Sequence, residues 1–471
     1  MASTAGSGTG GQAGEAARRV ALPETLFAIS AVVAFGTILY LGRSLTFWAD
    51  EWAVITSRSL FDPASWVSPF QEHWVALLVI AYRALFDVVG LRSYLPYLAV
   101  LLALHVAVAS AIFYALRRAN GPWVALGGAA LMLFLGSGFE DLFWAMQIGF
   151  VGAAALGTWA LICLDGSTSR RASLTAALLL TAAVATVGPG LFFLAAAGVL
   201  LLADRRRWRR VGWLALPAGT YLVWFLAFGR QGMDAVGRPF SLAAWLALPG
   251  FMYTGLSGAL GAISGLGPVG GTVLLGTLIG ITGWHLLFRR PIPPLALAAS
   301  AGLLTEYVLI GLVRDGLGDW ASQYTRYVYF AAIFALLLGS ALLGHVRLGP
   351  HLRVRIGAIL IGVLALDIAL VINVDYLVQG AHLFQSRADL TRAIVAAELQ
   401  DGGAPGIDPT RSLGISVPGA ASLRVIVAAH GSPLHDDLLP GVVPPVPTAV
   451  IDRATTALLR SADPNSPQLV P

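Results

Sequence analysis

Apolar runs of about twenty residues recur along this chain, with clusters of arginine between them, and this pattern restricts the fold more than any other feature. About twenty apolar residues is the length of a helix that crosses the ~30 Å hydrocarbon core of a bilayer. Lipid offers no partner to a bare backbone N–H or C=O, so only helices or closed barrels cross it. The runs are continuous, not alternating, which selects helices. Composition agrees, since 57% of the 471 residues are hydrophobic and 12% are charged, about half the charged share of a soluble domain. The expected fold is an all-α polytopic membrane protein.

All 30 basic side chains are arginine, so neither a Schiff-base nor a P-loop lysine is present. They cluster at Arg18-Arg19, Arg117-Arg118, Arg170-Arg171, Arg205 to Arg210, Arg289-Arg290, and at Arg347, Arg353 and Arg355. Such clusters mark cytoplasmic loops, so a pI near 9.5 reflects topology and not nucleic-acid binding. An even number of crossings must separate successive clusters. Applied to the apolar runs, that parity gives about eleven transmembrane helices. They are Glu24–Leu41, Tyr94–Leu116, Pro122–Leu135, Leu142–Leu164, Ala172–Val187, Pro189–Ala203, Val211–Gly229, Pro268–Phe288, Ile292–Val313, Tyr327–His345 and Ile356–Val374. The N-terminus is then cytoplasmic and the C-terminus extracytoplasmic.

Two further apolar stretches fail the parity test. His73–Gly90, within a first external segment spanning 43–93, is expected to lie along the outer interface, and Pro239–Ile263 to lie along or dip into the outer leaflet. Arg83 and Asp87 would share one face of the first. Residues 1–20, rich in Gly, Ala and Ser, read as a disordered cytoplasmic N-terminus. The transmembrane domain occupies 21–374, and 375–471 forms an external C-terminal domain or tail with a helix around Leu383–Leu399. The single cysteine, Cys163, lies in an apolar run and can form no intramolecular disulfide.

With the sides assigned, the cytoplasmic face offers arginines and little else, while the external face mixes carboxylates, arginines and a histidine. Asp50-Glu51 stands between tryptophans in Thr46-Phe47-Trp48-Ala49-Asp50-Glu51-Trp52, just past the first span. A carboxylate beside an apolar wall has its pKa raised toward the range of a general base; an acidic pair also suits a helix N-terminus with no chemistry at all. Glu140-Asp141 occupies an outer turn before Phe143-Trp144, with Gln147 further along. Arg314 and Arg326 flank one external loop among Tyr324, Tyr327 and Tyr329, a set fitted to hold phosphate through bidentate bonds. Asp315 and Asp319 could instead pair with those arginines. Arg58, Glu72 and His73 complete the polar set as substrate-binding candidates. Glu72 and His73 could help hold a divalent ion, yet no ligand spacing is diagnostic and the chemistry requires no cofactor. Hydrolase triads and P-loops are absent, and the glycines from Gly261 to Gly271 suit close helix packing.

At these residues the sequence resembles the GT-C membrane glycosyltransferases, the group that includes aminoarabinose transferases and protein O-mannosyltransferases. The likeness rests on order: Asp50-Glu51 after the first span, then Glu72 and an external helix, then Gly90-Leu91-Arg92-Ser93-Tyr94-Leu95-Pro96-Tyr97 opening the second span, then Glu140-Asp141. It is also similar to actinobacterial membrane proteins carrying E-H-W, W-A-x-Q-I-G-F and R-Y-x-Y patterns, here Glu72-His73-Trp74, Trp144 to Phe150 and Arg326 to Tyr329. The resemblance implies a polyprenyl-phosphate sugar donor and transfer to an envelope glycan, lipid or protein outside a bacterial plasma membrane. It implies Asp50 as base, Glu140 or Asp141 as a second acidic residue, and later arginines on the donor phosphate. One departure is that no lysine follows Glu72, where aminoarabinose transferases carry a basic residue. Two other classes fit the composition. A transporter or flippase for lipid-linked intermediates would place charges near midspan, where only Glu306 and Asp367 stand. A non-catalytic subunit of an envelope-assembly complex would make no demand on the carboxylates.

Overall fold

The computed structural model describes residues 9–235, 241–313, 318–344, 352–404 and 407–460. Arg314, Asp315 and Arg347 lie outside the described residues, as do residues 1–8 of the expected N-terminal tail. The described chain is helical throughout, with no strand and one isolated bridge between Phe70 and His73. Helix α1 (Thr9–Leu41) leads to three short helices, α2 (Asp50–Ser57), α3 (Pro63–Val67) and α4 (Ala76–Val89). Next come α5 (Leu95–Asn120), α6 (Pro122–Leu133), the single turn α7 (Glu140–Phe143), α8 (Ile148–Gly166), α9 (Arg170–Thr186) and α10 (Gly190–Leu202). The second half holds α11 (Ala215–Trp224), α12 (Arg230–Ala235), α13 (Leu242–Ser264), α14 (Gly267–Leu287), α15 (Pro294–Val313) and α16 (Thr325–Leu343). The chain closes with α17 (Leu352–Asp401), α18 (Ala420–His430) and α19 (Thr448–Arg460).

Among the described residues, nine helices are long and apolar enough to cross a membrane, and the protein is a multi-pass membrane protein. Three expected crossings are helices of only 12, 17 and 13 residues: α6, α9 and α10. Such short elements need neighbours at both ends, and α10 has them, packed against α8 and α15. The expected interfacial helix is α4, where Arg83 and Asp87 pair at 3.2 Å.

Helix α13 is long enough to span, and its contacts run from the end of α15 to the middle of α17. Its N-terminal part, Ala244 and Leu248, packs on Leu312 near the end of α15. Midway, Gly255 O accepts from Tyr307 Oη at 3.2 Å. At its far end Ile263 O accepts from Asn373 Nδ2 at 2.9 Å, and Asn373 Oδ1 accepts from Ser137 N, also at 2.9 Å, in the turn that precedes α7. A fully buried amide is thus satisfied on both sides, as a polar group at membrane depth must be. Helix α14 then doubles back so closely on α13 that a Cβ at Gly271 would meet Ser257 O at 1.8 Å. Only glycine fits there.

Helix α17 has 50 residues, about 75 Å at 1.5 Å per residue, more than twice the ~30 Å hydrocarbon core. The boundary expected at residue 375 therefore falls inside an unbroken helix. Its first half exposes Ile359, Leu360, Ile361, Val363 and Leu364, side chains suited to lipid. Its second half buries Ala388, Thr391, Arg392, Ile394 and Val395.

Candidate active site

The loop from α1 to α2 is fixed before it reaches the acidic pair. Arg392 of α17, 1% exposed, donates Nη2 to Ser44 O and to Leu45 O at 3.3 Å, and Ser44 Oγ donates to Gln385. Ala49 then takes φ +45 and ψ −111, a sparsely populated backbone region that costs a residue with a Cβ about 1–3 kcal/mol. That reversal starts α2 at Asp50-Glu51. The two carboxylates part company there. Glu51 is fully buried: its Oε2 accepts from Trp48 N at 2.6 Å, and its Oε1 accepts from Tyr82 Oη at 3.0 Å and Tyr94 Oη at 2.9 Å. Tyr94 Oη in turn accepts from Ala145 N at 2.7 Å. Burial outweighs these bonds and pushes the Glu51 carboxyl up to about 8. Asp50, half-buried, faces a cavity instead.

That cavity, of about 220 Å³, is apolar for most of its wall, through residues such as Leu78, Phe150, Phe192 and Phe225. Its polar wall includes Asp50, Glu72, His73, Gln147, Arg326 and Tyr327. Glu72 and His73 arrive on a tight turn in which Phe70 and His73 exchange backbone hydrogen bonds, both 3.0 Å, around Gln71 at φ +52. The two side chains pair at 3.5 Å. Opposite them stands Gly188, where a Cβ would lie 2.6 Å from His73 Nδ1. Trp74 stacks on Trp224 at 5.4 Å, tying the turn to the α11 region. Arg58 does not reach the cavity wall. Its guanidinium donates to Ser65 O (3.3 Å), Ser68 O (3.1 Å) and Pro69 O (2.7 Å), so it braces this external loop.

The cationic side of the cavity comes from the first turn of α16. Arg326 pairs with Glu140 at 3.6 Å, and Thr325 Oγ1 donates to Glu140 Oε2 at 3.1 Å. The Arg326 guanidinium carbon lies 5.2 Å from the Tyr324 ring centre and 5.8 Å from that of Tyr327. Asp141 is fully buried beside them, and neither of its oxygens has a hydrogen-bond partner among the described residues. Burial, with a smaller push from Glu140, raises its pKa well above the carboxylate range against the pull of Arg326. Trp144 Nε1 and Gln147 Oε1 are also buried without a hydrogen-bond partner among the described residues, although other atoms of both residues line the cavity.

The structure thus gathers six of the expected residues on one cavity, with Glu140 and Tyr324 joined to it through Arg326. Glu51, Asp141 and Arg58 stand behind the wall. Among the described residues no group of three metal-ligating side chains converges. Sequence reasoning passed over Trp144 as a polar donor and Arg387 of α17. The first is visible within the W-A-x-Q-I-G-F pattern, whereas nothing in the sequence marks the second.

No family model matches this sequence, and no curated protein matches it. Among solved structures the chain is similar to ArnT from Cupriavidus metallidurans bound to undecaprenyl phosphate, with 14% identity, 89% of each chain covered and a TM-score of 0.50. The apo state of that protein gives 16% identity over 82% of this chain and 80% of the other, with a TM-score of 0.48. An oligosaccharyltransferase of Archaeoglobus fulgidus in complex with Zn and sulfate gives 14% identity over 92% and 66%, with a TM-score of 0.42. At such identities the likeness is one of fold.

Proposed function

Starting from the fold of the GT-C membrane glycosyltransferases, which this chain has, we propose that it moves a sugar from a polyprenyl-phosphate donor to an envelope acceptor on the extracytoplasmic side of a bacterial plasma membrane. The observation that carries the reading is a single apolar cavity whose wall holds both a half-buried carboxylate, Asp50, and a guanidinium, Arg326. ArnT, bound to undecaprenyl phosphate in one similar structure, supports a polyprenyl phosphate as the donor's lipid.

Asp50 takes the proton from an acceptor hydroxyl as that oxygen forms its bond to the anomeric carbon. The bond from that carbon to the phosphate oxygen breaks, and the electron pair leaves with the lipid phosphate. Arg326, with Tyr327 beside it, meets the negative charge developing on the leaving group. Gln147, on the same wall, is assigned to the sugar. Among the acidic candidates, burial holds Glu51 and Asp141 toward their neutral forms, and Glu140 is engaged with Arg326 and Thr325. Asp50, on the cavity wall directly after the loop that α17 fixes, is assigned as the base in this scheme. With purified protein and an undecaprenyl-phosphate sugar, Asp50→Asn is expected to lower transfer by roughly 10²–10⁴-fold, the range of a positioned acid–base group, while donor binding persists. Full activity in Asp50→Asn would remove the base from this residue.

A further inference from the structure

Arg387 sits on the second half of α17, outside the cavity wall. Its guanidinium carbon stands 4.7 Å from the Phe384 ring centre and 5.4 Å from that of Trp48. Phe384 packs edge-on against Phe139 at 6.3 Å, and Phe139 immediately precedes Glu140. Trp48 lies two residues before Asp50. The two rings therefore hold Arg387 between the segment that carries the base and the segment that carries Glu140. Glu140 and Arg326 are both within its electrostatic reach. The side chain is half-buried, and its guanidinium makes no hydrogen bond or ion pair among the described residues.

Two guanidiniums thus stand within electrostatic reach of each other beside the segments that carry Asp50 and Glu140. Glu140, ion-paired with Arg326, offsets one positive charge, and Asp141 is held toward its neutral form. A guanidinium resting on aromatic faces keeps its N–H edge free for a planar or tetrahedral oxyanion. We propose that Arg387 and Arg326 form a two-guanidinium cradle for a phosphate ester, Arg387 being a second ligand of the donor phosphate. This rests on the donor reading above. The cradle divides the anion between α16 and α17, so the extramembrane half of α17 becomes part of the binding site.

The test uses the full chain in detergent, with binding of undecaprenyl phosphate, undecaprenol and inorganic phosphate measured by calorimetry. Wild type is compared with Arg387→Gln, Arg387→Lys and Arg326→Gln, each checked for an unchanged elution volume and melting temperature. Arg387→Gln is expected to weaken undecaprenyl phosphate binding by about tenfold or more, the worth of a charge-assisted bond, and to leave undecaprenol binding unchanged. Should Arg387→Gln fail to fold, Arg387→Lys decides, because it keeps the charge, loses the fork and is expected to weaken lipid-phosphate binding severalfold. Undecaprenyl phosphate affinity within twofold of wild type in the folded Arg387 variants, alongside a loss in Arg326→Gln, overturns the cradle and leaves the donor reading standing. Inorganic phosphate bound as tightly as the lipid, with the same dependence on Arg387, supports the cradle and overturns the lipid donor. No binding of any phosphate to the wild type overturns both.

Discussion

Asp50 and Glu51 are neighbours in the sequence with opposite surroundings, and their difference is itself measurable. Glu51 ionises near 4.5 in an unfolded chain and at about 8 in the folded one. Between those values the folded state holds a proton that the unfolded state has released, so stability falls as pH rises through the window. Glu51→Gln keeps the shape and removes the titration. Its melting temperature is expected to vary less than that of wild type across the window, and to gain relative to wild type toward the alkaline end. Equal slopes in thermal unfolding would show that Glu51 is not held neutral. The backbone reversal at Ala49 gives a second check, because glycine adopts φ +45 without a Cβ clash. Ala49→Gly relieves that strain at an entropy cost of ~0.5–1 kcal/mol and should therefore leave stability unchanged or raise it, as read from denaturant midpoints. The acidic pair and its aromatic flanks were legible in the sequence as a site. Which carboxylate faces the cavity was not, because that is set by Tyr82 and Tyr94, whose approach depends on how α4 and α5 pack.

Among the elements, α17 shows how far hydropathy reads and where it stops. The apolar run ends near Val374, so a crossing ending there was legible, as was a helix around Leu383–Leu399. Their fusion was not, because the burial that sustains the second half comes from residues far away in sequence. Arg392 is the clearest case: its partners, Ser44 and Leu45, belong to the first external loop. Hydrogen bonds from a charged donor are worth about 1.5–3 kcal/mol each, so Arg392→Gln should lower stability by a few kcal/mol at most. It should also lower kcat more than donor affinity, since it loosens the loop leading to Asp50 while Arg326 stays in place. Equal losses in kcat and in donor affinity would show that α17 merely holds the fold together. Helix α13 is the converse. Its length suggests a crossing, whereas arginine parity argues for a place along or dipping into the outer leaflet; its contacts join the end of α15 to the middle of α17.

At the scale of the whole molecule, the functional reading depends on which side of the membrane the cavity faces. Asp50, Glu140, Arg326 and Arg387 all gather at one end of the bundle, whereas Arg117-Arg118, Arg170-Arg171 and Arg205 to Arg210 belong to loops separated from it by α5, α8, α9 and α10. Arginine resists transfer across the bilayer, and on the positive-inside bias we propose that those loops are cytoplasmic and that the cavity faces outward. A donor sugar on a polyprenyl phosphate would then be used after it has reached the outer leaflet, with no soluble nucleotide sugar required at the site. Cysteine labelling tests this once Cys163 has been replaced. Ser386 and Ser169 are both exposed and lie near opposite ends of the bundle, whereas Ser137, 4% exposed, would report burial and not sidedness. A cysteine at Ser386 is expected to react with a membrane-impermeant maleimide in intact cells, and one at Ser169 only after permeabilisation. The reverse pattern would put the cavity in the cytoplasm, where the arginine clusters would lie outside against their electrostatic preference, and the proposed transfer would have to act on an inner-leaflet donor.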